Sequence, residues 1–230
     1  MRRYVLPIFL KLSFVLVFCT PCAAQYNFYK YSFGIGGGVT LPFGDVKSVN
    51  YSLANQVSAD YYFTPNINTG LEVQFGNMRG GKMGPTSSHF SNDFKLIAWN
   101  TRMQLGQFYG RFDRLSHLLW LMRGLYAGAG VGIIRNNVTG AKLGSGFSNS
   151  INRDLIFPFT GGYNIYLQDM YGRDRWELNF SMQFVIGMAD KMDGDLNPKS
   201  NFNDVYNYFS TGIRYKFGTL GLDKRKGRIK

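Results

Sequence analysis

Apolar and polar residues alternate with a period of two along most of the chain, in eight stretches separated by turn-like or polar segments. That period marks strands whose two faces meet different surroundings. In the first stretch Tyr29, Tyr31, Phe33, Ile35, Val39 and Leu41 share one parity, and Ser32, Gly34, Gly36 and Gly38 hold the other. The second sets Val57, Ala59, Tyr61 and Phe63 against Ser58, Asp60, Tyr62 and Thr64. Pro65-Asn66 then makes a tight turn, because proline pre-sets φ and asparagine tolerates a left-handed backbone. The third sets Ile67, Thr69, Leu71, Val73 and Phe75 against Asn68, Gly70, Glu72, Gln74 and Gly76.

The fourth stretch changes phase. Phe94, Leu96 and Ala98 have the opposite parity to Ile97, Trp99, Met103 and Leu105, which predicts a bulge near Ile97. The fifth runs Leu125, Ala127, Ala129, Val131 and Ile133 against Tyr126, Gly128, Gly130 and Gly132. The sixth puts Leu155, Phe157, Phe159, Tyr163, Ile165 and Leu167 on one face, with Thr160, Gly162, Asn164 and Tyr166 on the other. The seventh sets Trp176, Leu178, Phe180, Met182, Phe184 and Ile186 against Glu177, Asn179, Ser181 and Gln183. The eighth sets Phe209, Thr211, Ile213, Tyr215 and Phe217 against Tyr208, Ser210, Gly212, Arg214 and Lys216.

A soluble sandwich also alternates, but it rarely carries so many large aromatics on the outward set. The pattern predicts an all-β fold, an eight-stranded antiparallel up-and-down barrel that crosses a membrane over about residues 29–217. An even strand count returns both ends to one side. The short links at Pro65-Asn66 and around Asp169–Arg173 are expected on the periplasmic side, and the longer polar links at 42–54, 77–92, 136–152 and 188–204 outside. The link from Gln107 to Gly124 is long yet falls on the periplasmic side. Its Arg114–Arg123 stretch is expected to form a short interfacial helix, to plug the lower mouth, or to extend the fifth strand.

The N-terminus sharpens this picture. Arg2 and Arg3 precede an apolar run, Val5 to Phe18, broken only by Lys11, and Cys19-Thr20-Pro21-Cys22-Ala23-Ala24 follows. A charged start, a short apolar core and a small-residue end are the parts of a secretory signal, and a spanning helix needs about 20 apolar residues. Cleavage is expected after Ala24, leaving 25–218 as the barrel and 219–230 as a basic periplasmic tail with Lys224, Arg225, Lys226, Arg228 and Lys230. Phe18 and Pro21 before the two cysteines argue against lipidation. Both cysteines leave with the signal, so disulfide and thiol chemistry are excluded. Lys+Arg falls from 26 to 23 against 14 Asp+Glu, which lowers the formal net charge from +12 to +9. The chain is rich in Phe (20), Tyr (15) and Gly (28), yet its mean hydropathy is −0.16. A barrel reconciles these values, since only alternate residues face lipid.

Chemistry is sparse. His89 and His117 lie in different links on opposite sides, so they cannot share a metal. The acidic stretch Asp190–Asn197 lacks the spacing and closing glutamate of an EF-hand and reads as solvated. Ser87, Ser88, His89 and Asp93 share one link with no evident means of holding catalytic geometry. No enzyme activity and no cofactor is expected. The glycine rows of the first and fifth strands point inward from opposite walls. Glu72, Gln74, Glu177, Gln183, Arg102, Arg214 and Lys216 point inward between them. An eight-stranded barrel has room only for side chains, so these residues are expected to fill the space that the glycines leave and to close the lumen with buried ion pairs.

With these residues assembled, the chain resembles the small outer-membrane barrels of the OmpA/OmpX type. It is most similar to the outer membrane protein β-barrel domain family of Bacteroidota, to which PorT-like proteins also belong. Ala23-Ala24-Gln25, the opening strand Phe33–Val39, the stretch Tyr61–Glu72 and the end Gly212–Gly218 carry the resemblance over nearly all of residues 25–218. It implies insertion by the barrel-assembly machinery, read from a last strand with Phe209, Ile213, Tyr215 and Phe217 on its apolar face. The expected partners are outer-membrane lipid, that machinery during insertion, and proteins meeting the outer loops or the tail, but not nucleic acid. Three roles follow: an interaction scaffold, a PorT-like part of a secretion or assembly machine, or a channel or lipid-modifying enzyme. Modest loops and the missing catalytic trio favour the scaffold.

Overall fold

The structure, a computed structural model, describes residues 26–43, 49–81, 89–108, 122–142, 146–188 and 205–223. Eight long strands account for nearly all of them: β1 (Tyr26–Phe43), β2 (Ser52–Thr64), β3 (Ile67–Gly81), β4 (His89–Gln104), β5 (Leu125–Lys142), β6 (Gly146–Gln168), β7 (Asp174–Gly187) and β8 (Val205–Asp223). Consecutive strands pair antiparallel, and β8 returns to β1, so the sheet closes into the expected eight-stranded barrel. Closure removes every long edge. Val49–Asn50 adds a short rung beside Arg79–Gly80 at the rim, and Leu105–Gln107 forms one 3₁₀ turn after β4.

The alternation fixes which face points where. Leu71, Val73 and Phe75 are exposed on the outside of β3, while Asn68, Gly70, Glu72 and Gln74 are buried inside. Outward residues from Leu125 to Ile133 on β5 rise roughly 20 Å at ~3.4 Å per residue and ~40° tilt, the scale of a bilayer core.

Three expectations are corrected. β4 contains no bulge at Ile97: its register with β3 and β5 runs unbroken, and Phe94, Leu96 and Ala98 face the lumen in phase with Asn100 and Arg102. The phase appeared to switch because the interior itself changes from apolar to polar along the strand. Second, the links at 42–54, 77–92 and 136–152 are shorter than expected. β5 reaches Lys142 and β6 begins at Gly146, because Asn, Thr and Arg continue the ladder after the lipid-facing pattern ends. Third, Leu220–Asp223, assigned to the tail, pairs as strand with Tyr26–Tyr29. An extra β8 residue at Gly218 makes this possible, with φ at 88° and the register shifting opposite Tyr29 and Tyr31. A left-handed glycine at a bulge is a low-strain way to insert one residue.

The short connections sit at the end where Tyr26 and Asp223 pair, called here the terminal end. At the Pro65-Asn66 turn the Thr64 hydroxyl oxygen accepts from the amides of Asn66 (3.2 Å) and Ile67 (3.0 Å), which fixes the hairpin locally.

Candidate functional site

All seven polar residues singled out for the lumen are buried inside the barrel. Lys216 Nζ lies 2.8 Å from Glu177 Oε2, and Arg214 Nη1 donates to Glu177 Oε1 at 2.7 Å. The other side of Arg214 faces Asp60, with Nε 3.5 Å from Oδ2. Arg102 then bridges two acids, donating to Asp60 Oδ1 at 3.0 Å and to Glu72. Glu72 accepts further from Asn100 at 3.1 Å and from Gln74 at 2.7 Å. Gln74 on β3 donates to Gln183 on β7, the opposite wall, at 2.6 Å, so the chain of contacts spans the lumen. Three carboxylates alternate with three cations, leaving the network without net charge. A charge in a low-dielectric interior is tolerated when paired and hydrogen-bonded, and here each charge has an opposite charge within 3.5 Å.

The glycines make room for this. A Cβ on Gly34 would stand 2.6 Å from Arg214 Cγ and 2.8 Å from Ser58 Oγ, and one on Gly128 would stand 2.9 Å from Arg102 Cγ. The arginine stems therefore lie against bare backbone.

Sequence reasoning missed two parts of the interior. Asp60, seen as inward but not as a network member, is the acid that joins two arginines. Lys216 also stands over the rings of Tyr62 (4.6 Å) and Tyr166 (4.7 Å), contacts that alternation alone does not reveal. The second miss is a separate apolar core nearer the other end, formed by Met78, Phe94, Leu96, Ile134, Ile156, Val185, Tyr206 and neighbours. Phe94 and Tyr206 come from opposite walls and meet with ring centroids 5.7 Å apart. The uniform parity of 94, 96 and 98 with Asn100 was the signal.

The outside carries its own pattern at the terminal end. Phe63, Tyr61, Tyr31, Phe217, Tyr215 and Trp176 form one run of ring contacts across β2, β1, β8 and β7, with centroid separations of 4.7–6.3 Å. Tyr29, expected to face outward with them, is buried there because arginines cover it. A register shift at Leu167/Gln168 frees Arg175 from the alternation, and its guanidinium lies 5.4 Å from the Tyr29 ring and 5.2 Å from that of Tyr215. Arg173 stacks on Tyr29 from the adjoining turn at 5.1 Å.

That turn is organised by Asp169, whose Oδ1 accepts from the amides of Tyr171 (2.9 Å) and Arg173 (3.0 Å), while Gly172 takes φ 68°. Partial desolvation pushes the Asp169 carboxyl up. Hydrogen bonds from the Arg173 amide and guanidinium, the Tyr171 amide and the Tyr29 hydroxyl outweigh it and hold the group at about 2. A carboxyl lowered on folding stabilises the fold above its unfolded pKa, and that contribution fades as pH falls through the folded value. Carboxyl-carbon NMR in micelles is expected to place the Asp169 midpoint near 2, with the turn loosening between about pH 4 and 2. A midpoint close to 4 would mean that the turn does not hold the ionised form.

Phe209, Ile213 and Phe217 are exposed and Tyr215 half-buried, all on the outer face of β8. Asp93 is exposed on the outer face of β4. The signal segment, Ser87 and Ser88, His117, the body of the 107–124 link, the acidic stretch 190–197 and the tail from Lys224 lie outside the described residues. Among the described residues no group of His, Cys, Asp and Glu could hold a metal ion.

No family model matches the chain, and no curated protein matches it in sequence. Solved structures of small outer-membrane β-barrels do match in architecture. Ail, the attachment invasion locus protein of Yersinia pestis, is 9% identical with TM-score 0.48, over 83% of this chain and 99% of that one. Neisserial surface protein A is 14% identical with TM-score 0.47, over 81% and 97%. The outer membrane protein OprG of Pseudomonas aeruginosa is 10% identical with TM-score 0.38, over 84% and 98%.

Proposed function

We propose that this chain is a bacterial outer-membrane barrel that acts as a closed scaffold, presenting the end opposite its termini to other molecules outside the cell. The observation that carries this is the lumen: paired charges fill one half and packed apolar side chains the other. An exposed apolar belt with an aromatic run at one rim suits lipid, since a soluble surface of this kind would aggregate. The short turns at Thr64–Ile67 and Asp169–Arg173 share an end with Tyr26 and Asp223, the first and last described residues, which supports termini on the periplasmic side. The outward apolar face of β8, with Phe209, Ile213, Tyr215 and Phe217, supplies the pattern that the assembly machinery is proposed to read.

Purified protein in planar bilayers is expected to show no stable conductance. Sustained steps of nanosiemens size would overturn the closed-lumen reading. The finer proposal places the chain with the PorT-like barrels, where the same closed scaffold would serve inside a secretion or assembly machine. Isolation in mild detergent separates the two roles: a stoichiometric set of co-purifying membrane or periplasmic subunits marks the machine part, and recovery of the barrel alone marks the scaffold. No catalytic step is proposed.

A further inference from the structure

The cations of the lumen are paired, but among the described residues a row of three on the outer wall has no salt bridge. Lys95 on β4 pairs in register with Arg135 on β5, and Arg135 with Arg153 on β6. All three are exposed on the outer face. Neighbouring strands lie about 4.8 Å apart, so three like charges fall within roughly 10 Å. Like charges directly opposite one another destabilise a sheet. Among the described residues, no salt bridge involves any of the three. Arg79 stands on the neighbouring strand, and the carboxylate in this area is Asp93, one row further from the belt between Asn77 and Asn137. Among the described residues the patch therefore holds four cations, Lys95, Arg135, Arg153 and Arg79, against one acid.

Its height on the wall tells what it meets. Directly below the row the outward residues are Ile97, Ile133 and Leu155, exposed at 57%, 58% and 41%. On β4 and β5 the row thus marks the rim of the apolar belt, at the level where lipid phosphates lie, and on β6 Ile151 stands one row beyond Arg153. A groove of about 810 Å³ adjoins it, lined by Arg79, Lys95, Arg135 and Asp93 together with Leu53 and Phe75, the last in register with Lys95. A ligand with phosphate at the cation row and hydrocarbon against Ile97, Ile133 and Leu155 satisfies both. We propose that Lys95, Arg135 and Arg153 bind the phosphate groups of an anionic lipid in the leaflet at the loop end of the barrel. Arginine forks match phosphate oxygens in pairs, and such contacts are charge-assisted. The proposal rests on the membrane-spanning reading above.

The full chain is reconstituted into phosphatidylcholine nanodiscs carrying lipid A, and retained lipid is counted by native mass spectrometry. Wild type is expected to retain lipid A and to lose it about tenfold on combining Lys95→Gln, Arg135→Gln and Arg153→Gln. Lipid A stripped of its phosphates should be retained no better than by that variant, and Lys95→Arg should keep wild-type retention. Heat-modifiable gel migration establishes that each variant is folded. Should the triple variant fail to fold, the single changes Arg135→Gln and Arg153→Gln are expected to give graded losses. Equal retention by wild type and variants, or equal retention of the dephosphorylated lipid, would sink the site and leave the membrane reading standing. Displacement by inorganic phosphate alone would make it a free-anion site and overturn the lipid assignment. A wild-type chain that does not enter the nanodisc would overturn the membrane reading itself.

Discussion

Replacing Glu177 by Gln is expected to destabilise the barrel by about 3–5 kcal/mol, the cost of leaving buried cations without their counter-charge. The substitution keeps shape and most hydrogen-bonding capacity, so the loss is electrostatic. Glu177 is the acid shared by Lys216 (2.8 Å) and Arg214 (2.7 Å). Arg214 retains Asp60 at 3.5 Å, whereas no other salt bridge among the described residues reaches Lys216. The penalty therefore falls mainly on Lys216. Urea titration of refolded protein in vesicles, followed by tryptophan fluorescence, measures it. A second change, Lys216→Met, is expected to recover much of the loss, because an apolar side chain of similar length needs no partner. If Glu177→Gln costs under 1 kcal/mol, water reaches the pair and the lumen is not dry.

The outward half of the fold was legible in the sequence because lipid imposes one rule on every strand. Ile97, Val131, Phe159 and Phe180 all obey it, and their parity alone orients four strands. The inward half obeys no single rule. An interior position accepts Glu72, a glycine or Leu96 according to what crosses from the far wall, and that depends on pairings distant in sequence. The polar members were legible as a set because Glu, Gln, Arg and Lys recur on the inward parity. Their partners were not, since Asp60 joins Arg102 and Arg214 from strands 42 residues or more away along the chain. Strand ends were hidden for a different reason. Past the belt the outward face turns polar while the inward face mixes Asn136 with Val138, so alternation stops while hydrogen bonding continues through Asn136, Asn137 and Thr139. Arg175 departs from parity through a bulge that nothing in its local composition marks.

The apolar core supplies the second large effect. Phe94→Ala is expected to cost about 3–5 kcal/mol, the range for deleting a buried aromatic ring. Phe94 is 1% exposed and packs on Tyr206 from the opposite strand, so its loss leaves a void in the middle of the apolar core. An unfolded barrel chain in urea holds this ring in water, so its burial contributes as in a soluble core. Trp99, 51% exposed on the outer wall of the same strand, meets lipid or detergent instead. Urea midpoints in micelles and in vesicles distinguish the two positions. The Phe94→Ala loss should agree between media within about 0.5 kcal/mol, and the Trp99→Ala loss should follow the medium. A Phe94→Ala loss that tracked the medium would place that ring in contact with lipid and contradict the inward parity of β4. The same variant also separates stability from closure. Removing the ring leaves Gln74 and Gln183 joined at 2.6 Å across the lumen and Tyr206 3.4 Å from Gln74. Phe94→Ala should therefore be weaker than wild type yet equally silent in a planar bilayer, because the polar network closes the barrel without the apolar core.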